Sequence, residues 1–313
     1  MELLTQLEGI RSPFLDTVIG LITRLGEETI GVAILCAIFW CISKRAGYTI
    51  GVVFFLSGLA VQGMKVIFRV ERPWEIDPGF RPVEAAKLEA TGYSFPSGHT
   101  QSATALFGTL GAVIKQKPVK ALCFLITVIV AFSRLYLGVH TPQDVIASLA
   151  IAYLFVLLVV VFRKDEQIDV KREAIISAAM AVFAIAVVVI AAVLYSNGTI
   201  EEEYISDCLK AAGAGIGFAV GMFIERVYIG FSVKTKSLIW QIVKYVIGIA
   251  IVLALKEGLK LLIGTGFVAN ALRYFVLISW IVVLYPLIIK RFFEVRQQGD
   301  EPLPPDEDSG EEM

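Results

Sequence analysis

Apolar residues in this chain fall in long runs broken by short polar connections, a spacing that suits helices crossing a bilayer. Five runs are expected to span, at about 29–43, 48–70, 99–114, 119–139 and 142–162. Four more follow at about 174–195, 204–224, 238–262 and 267–289. The stretch 14–22 is apolar but short, and Asp16 interrupts it. Residues 1–25 therefore read as an amphipathic helix at the interface, or as part of a short hairpin. The pattern predicts an all-α integral membrane protein. Its parts are a helical-bundle core over 1–165, a C-terminal membrane bundle of about four further transmembrane helices over 166–295, and an acidic, proline-containing tail over 296–313 expected to be disordered.

The longest polar connection is 71–96, punctuated by Pro73, Pro78 and Pro82, with room for a short helix at 83–90. Its Trp74, Phe80, Tyr93 and Phe95 suit the headgroup region. A loop of this length inside a compact domain is often functional. Lys and Arg concentrate on alternate connections: Lys44/Arg45, Lys115/Lys117/Lys120, Arg163/Lys164/Lys171/Arg172, Arg226/Lys234/Lys236 and Lys290/Arg291/Arg296. The positive-inside rule makes these cytoplasmic, together with the C-terminus. Lys65, Arg72, His99, Arg134 and His140 then all lie at the extracytoplasmic ends of their spans.

Composition narrows the picture. The 313 residues are 57% hydrophobic and only 18% charged, and a net charge of -1 gives no reason to expect nucleic acid as a partner. Cys36, Cys41, Cys123 and Cys208 lie in or beside apolar runs with no CxxC pair, so neither a disulfide framework nor a zinc site is expected. No basic, then apolar, leader of the cleavable kind is visible at the start. There are only two histidines. His99 lies in FPSGHT and His140 in SRLYLGVHTPQD, each beside residues able to take part in chemistry.

Three segments converge on the same face. In KVIFRVERP, Lys65 precedes Arg72 by about two helical turns, so both cations share one side. In PSGH, Ser97 and Gly98 open a span and offer amide and hydroxyl donors, and glycine permits close approach of an anion. In the third, Ser133-Arg134 precede His140. Thr141-Pro142 look like an N-cap and first-turn proline, which places Asp144 in the first turn beyond His140. A carboxylate there can accept the proton of one imidazole nitrogen and leave the other free as a nucleophile. Three cations, a donor-rich turn and two imidazoles make an anion pocket suited to phosphoryl transfer. No carboxylate cluster of metal-ligand type accompanies it, so the cations would take a metal's place.

These residues resemble the three-part signature of the type 2 phosphatidic acid phosphatase superfamily, the lipid phosphate phosphatases: K-x6-RP, PSGH and SR-x5-H-x3-D, in order and unbroken. The likeness covers about 29–162. It implies that the core is a helical-bundle phosphatase, that His140 attacks phosphorus to form a phosphohistidine, and that Asp144 orients His140. It also implies that His99 protonates the leaving oxygen and then activates water, and that Lys65, Arg72, Ser97, Gly98 and Arg134 hold the phosphate oxygens. The implied enzyme needs no metal and no cofactor. Its substrate is a lipid phosphomonoester or diphosphate such as polyprenyl diphosphate, as for an undecaprenyl diphosphatase, phosphatidic acid or phosphatidylglycerol phosphate. The compact form points to a bacterial plasma membrane. The alternatives are a lipid-linked phosphotransferase using the same pocket and, in a different class, an anion or lipid transporter.

The resemblance says nothing of 174 onward. There Gly213, Gly217 and Gly221 recur every fourth position, a face for close helix packing either within the chain or in a homo-oligomer. Asp207, Lys210, Lys256, Glu257, Lys260 and Arg273 lie in or near spans, as structural ion pairs or as help in recruiting anionic lipid. Asn197-Gly198 reads as a turn.

Overall fold

The computed structural model describes residues 1–162 and 169–294, and among these every regular element is helical. The expected tail, 296–313, lies outside the described residues. Two short helices begin the chain, α1 (Glu2–Gly9) and α2 (Pro13–Thr23), the second capped by the Ser12 hydroxyl and opened by a first-turn proline. A tight turn at Arg24–Gly26 leads into α3 (Glu28–Ala37), which continues through a wider turn, Ile38–Ile42. The stretches Pro13–Gly26 and Glu28–Ile42 meet at a 55° bend, so the start of the chain is neither a straight span nor a detached surface helix.

The central element is α4 (Lys44–Phe68), begun by a Ser43 cap and ended by Arg69 in the left-handed conformation. The polar connection after it contains two short helices, α5 (Pro73–Ile76) and α6 (Glu84–Glu89). The next run is one short rod of three joined pieces, α7 (Gly98–Ala103), a wider-turn segment Thr104–Gly108, and α8 (Thr109–Val113). It is shorter than the roughly 20 residues of a full crossing. Two longer helices complete the core, α9 (Lys117–Tyr136) and α10 (Pro142–Phe162).

The C-terminal bundle comprises α11 (Val170–Ser196), α12 (Glu202–Ile224, continuing to Ile229), α13 (Leu238–Ile263), α14 (Phe267–Ser279, continuing to Leu284) and α15 (Tyr285–Phe292). Among the described residues seven helices are long and apolar enough to cross a membrane, and up to eight if the bent pair counts as one span. Asn197-Gly198 forms the expected turn, with Gly198 at positive φ. Of the four cysteines, all free, three are buried and Cys41 is half-buried.

Core and extension are one packed body. Helix α4 packs against α10 of the core and against α11 and α12 of the extension. The glycine face of α12 is filled by α14 of the same chain. A Cβ at Gly213 would lie 2.1 Å from the Ala271 carbonyl oxygen, and one at Gly217 would lie 2.8 Å from that of Phe275. The face expected to serve packing within or between chains is thus used within this one.

At the end of α4 remote from the histidines, the fully buried Glu225 carboxylate takes a hydrogen bond from Lys44 Nζ at 2.6 Å, another from the Phe231 amide at 2.9 Å, and one from the Tyr48 hydroxyl. Trp40 Nε1 donates to the Ile281 carbonyl at 3.0 Å, a second tie between core and extension. A buried charge is tolerable only when its acceptor sites are filled in this way.

Candidate functional site

Helix ends bring the three segments together at the opposite end. Lys65 occupies the last turn of α4, Arg72 follows in the connection, His99 lies in the first turn of α7, Arg134 in the last turn of α9, and His140 just before α10. A cavity of about 340 Å³ is lined by Lys65, Arg72, Gly98, His99, Arg134 and His140.

Around Asp144 the local sequence dictates the geometry. The Asp144 carboxylate accepts the Thr141 amide at 2.7 Å, and the Asp144 amide faces the Thr141 hydroxyl at 3.4 Å, the reciprocal arrangement of a capping box. The same carboxylate oxygen, Oδ2, accepts the Ser94 hydroxyl at 2.6 Å and lies 3.4 Å from His140 Nδ1. On the other side of the ring, Arg72 Nη1 is 3.2 Å from His140 Nε2. A guanidinium can only donate. Nε2 therefore meets it with its lone pair, and the ring proton sits on Nδ1, facing Asp144.

Two of the cations are held by hydrogen bonds within the protein. Arg72 donates from Nε to the Gly92 carbonyl at 2.9 Å, from Nη1 to that of Val139 at 2.9 Å, and from Nη2 to that of Thr91 at 2.6 Å. Backbone late in the 71–96 connection and in the turn before α10 thus aims the guanidinium. Arg134 donates to the Thr23 hydroxyl at 2.8 Å, while its Nε is buried with no partner among the described residues. His99 Nε2 is likewise buried without a partner among the described residues. Burial pushes the His140 imidazole well below its ordinary value of 6.5, and Arg72, Arg134 and Lys65 push it further the same way. It is a neutral base near pH 7.

Of the two residues expected to supply phosphate donors from PSGH, Gly98 lines the cavity. Ser97 is fully buried behind it. The Ser97 amide donates to the Asp144 carbonyl at 3.2 Å, and its hydroxyl accepts from Thr100 at 3.0 Å. Ser97 therefore ties the start of α7 to that of α10.

Three contributors were not anticipated from sequence. Thr23 and Gly26 come from the N-terminal segment, and Ser94 from the long connection. A Cβ at Gly26 would lie 2.7 Å from the His99 carbonyl oxygen, so only glycine lets that turn pass so close to His99. Ser94 sits three residues ahead of Ser97 with nothing in its neighbourhood to mark it. The extension also reaches the site. Asp207 and Lys210 of α12, paired at 2.8 Å, and Tyr274 of α14 line the same cavity. The other charges singled out there do otherwise: Lys256 bonds the Thr29 hydroxyl at 3.2 Å, and Arg273 bonds Asn270. Among the described residues no group of three or more His, Cys, Asp or Glu is placed to hold a metal ion.

Residues 46–168 match the family model described as the PAP2 superfamily, and residues 209–297 match one described as a PAP2 superfamily phosphatase transmembrane extension. The chain is 29% identical over 165 residues to a probable sphingosine-1-phosphate phosphatase of Dictyostelium discoideum, an alignment covering 49% of this chain and 39% of that one. It is 27% identical over 179 residues to phosphatidylglycerophosphatase B of Bacillus subtilis (strain 168), covering 52% and 82%. It is 31% identical over 110 residues to an undecaprenyl-diphosphatase of Sulfolobus acidocaldarius, covering 34% and 50%. The chain thus spans half or less of the first and third of these relatives.

Proposed function

Because the chain belongs to the PAP2 superfamily, we propose that it is a membrane phosphatase that hydrolyses a lipid phosphomonoester or diphosphate through a phosphohistidine on His140. The observation that carries this reading is the orientation of one ring. Nδ1 of His140 is 3.4 Å from the Asp144 carboxylate, while Nε2 is 3.2 Å from Arg72 Nη1, beside a cavity that His99 also lines.

In the first step Nε2 attacks phosphorus, the bond from phosphorus to the lipid oxygen breaks, and His99 delivers a proton to that oxygen. Positive charge grows on His140, and Asp144 stabilises it. Lys65, Arg72, Arg134 and the first-turn amide of Gly98 hold the equatorial oxygens, with Ser97 holding that turn in place. In the second step water attacks phosphorus, the phosphorus–nitrogen bond breaks, and His99 takes the water's proton. Free phosphate leaves and His140 returns to its neutral form. The phosphate's negative charge among the cations is what lets the His99 imidazole hold its proton.

Candidate substrates are the phosphates in the names of the relatives, with phosphatidic acid and polyprenyl diphosphate. The basic connections support an orientation with the site on the extracytoplasmic face of a plasma membrane and the C-terminus in the cytoplasm. The test is phosphate release from lipid phosphates by purified protein in detergent with a chelator present. Wild-type turnover in His140→Ala or His99→Ala refutes the mechanism. A ³²P-labelled substrate quenched in base should leave label on the wild-type protein and none on His140→Ala.

A further inference from the structure

The cavity is larger than a phosphate needs, and part of its lining comes from outside the phosphatase segment. Beyond the cradle of Lys65, Arg72 and Arg134 it is bounded by Glu28 of α3, Asp207 and Lys210 of α12, and Tyr274 of α14. Helix packing puts them there. Gly213 and Gly217 let α14 close on one side of α12. Ala211 and Ala214, lining the cavity, keep its other side open.

The chemistry of this wall differs from that of the cradle. It pairs Asp207 with Lys210 at 2.8 Å and sets Glu28 and the Tyr274 phenol beside them. Lys210 retains further N–H donors, Asp207 has a second carboxylate oxygen, and the Tyr274 phenol can donate or accept. A surface that both donates and accepts suits a neutral hydroxyl or an ammonium. A second phosphate placed against it would meet carboxylates.

Resting on the phosphatase reading above, we infer that Asp207, Lys210 and Tyr274 of the extension are specificity-determining residues. They select a lipid phosphomonoester bearing a hydroxyl or amino group beside the phosphate over a lipid diphosphate.

The experiment uses the full chain in detergent and three probes: lysophosphatidic acid, which carries a hydroxyl near the phosphate, dodecyl phosphate, which carries none, and farnesyl diphosphate. Wild-type kcat/KM is expected to favour lysophosphatidic acid over each of the others by about tenfold or more, the worth of one hydrogen bond to a charged group. Asp207→Asn and, independently, Lys210→Met should each reduce that preference to about threefold or less, mainly through KM for lysophosphatidic acid. Asp207→Asn should also raise use of farnesyl diphosphate relative to lysophosphatidic acid. Tyr274→Phe, the least disruptive change, should give a smaller loss in the same direction. Equal turnover of all three probes by the wild type, or an unchanged preference in variants that still turn over, overturns the inference and leaves the phosphatase reading standing. No phosphate from any probe overturns both.

Discussion

Replacing Asp144 by Asn isolates one charge. The carboxylate oxygen Oδ2 accepts the Ser94 hydroxyl at 2.6 Å and the Thr141 amide at 2.7 Å, and it faces His140 Nδ1 at 3.4 Å. An asparagine can put its carbonyl oxygen at the same point and keep the cap, so the fold should persist. What is lost is the negative charge next to a ring that becomes positive when it attacks phosphorus. Two unit charges 3.4 Å apart at an effective dielectric of about 20 interact by roughly 5 kcal/mol. Only part of that charge has developed at the transition state, so about 4 kcal/mol should be lost, or roughly 10³-fold in kcat at 1.36 kcal/mol per tenfold. KM should move little, because the phosphate cradle is intact. The assay is steady-state phosphate release in detergent, with thermal melting in parallel. An Asp144→Asn protein within tenfold of wild-type kcat refutes the proposed role of the carboxylate.

Other expectations follow from the same geometry. Gly26→Ala places a Cβ 2.7 Å from the His99 carbonyl oxygen and should lower kcat at least tenfold while costing about 1–3 kcal/mol of stability, measured by activity and melting. Glu225→Ala leaves the Lys44 ammonium and the Tyr48 hydroxyl without their shared acceptor. Since Lys44 keeps some solvent contact, a loss of about 2–3 kcal/mol is expected on denaturation in detergent, below the range for a fully buried pair. Acid should also destabilise the protein through His140. Its folded value lies well below 6.5, so the unfolded chain binds the extra proton as pH falls through about 6.5, and stability drops from there downward. The melting temperature should therefore fall between pH 7 and pH 5, and fall less in His140→Gln.

The proposed catalytic pattern was legible because its decisive spacings are local. A helix fixes Lys65 relative to the chain leaving α4, and a Thr-Pro-x-Asp start fixes Asp144 relative to His140 whatever the rest of the fold does. The distribution of Lys and Arg put these pieces at one end of the bundle. Residues that reach the site through long-range packing carried no such mark. Thr23 meets Arg134 across 111 positions of sequence, and Ser94 meets Asp144 across 50. The glycine repeat of α12 announced close packing but not the partner, since a neighbouring helix and a second copy require the same small face. Ser97 was legible as part of a motif, yet its amide serves the Asp144 carbonyl, an acceptor brought to it by α10 packing on α7.

The two polar clusters on either side of α4 explain why core and extension behave as one body. At one end the Glu225 carboxylate accepts from Lys44, Tyr48 and the Phe231 amide, so its acceptor sites are filled and the cluster holds α12 in register with α4. At the other end Arg134 Nε and His99 Nε2 are buried without partners among the described residues, and the cluster opens on a cavity. The closed cluster sets the height of α12 along α4, and that height decides which of its residues reach the cavity. A shift of one residue along α12 would rotate Asp207 and Lys210 off the cavity face, because successive helical positions differ by about 100°. The buried carboxylate far from the chemistry therefore sets the register of the wall that faces it.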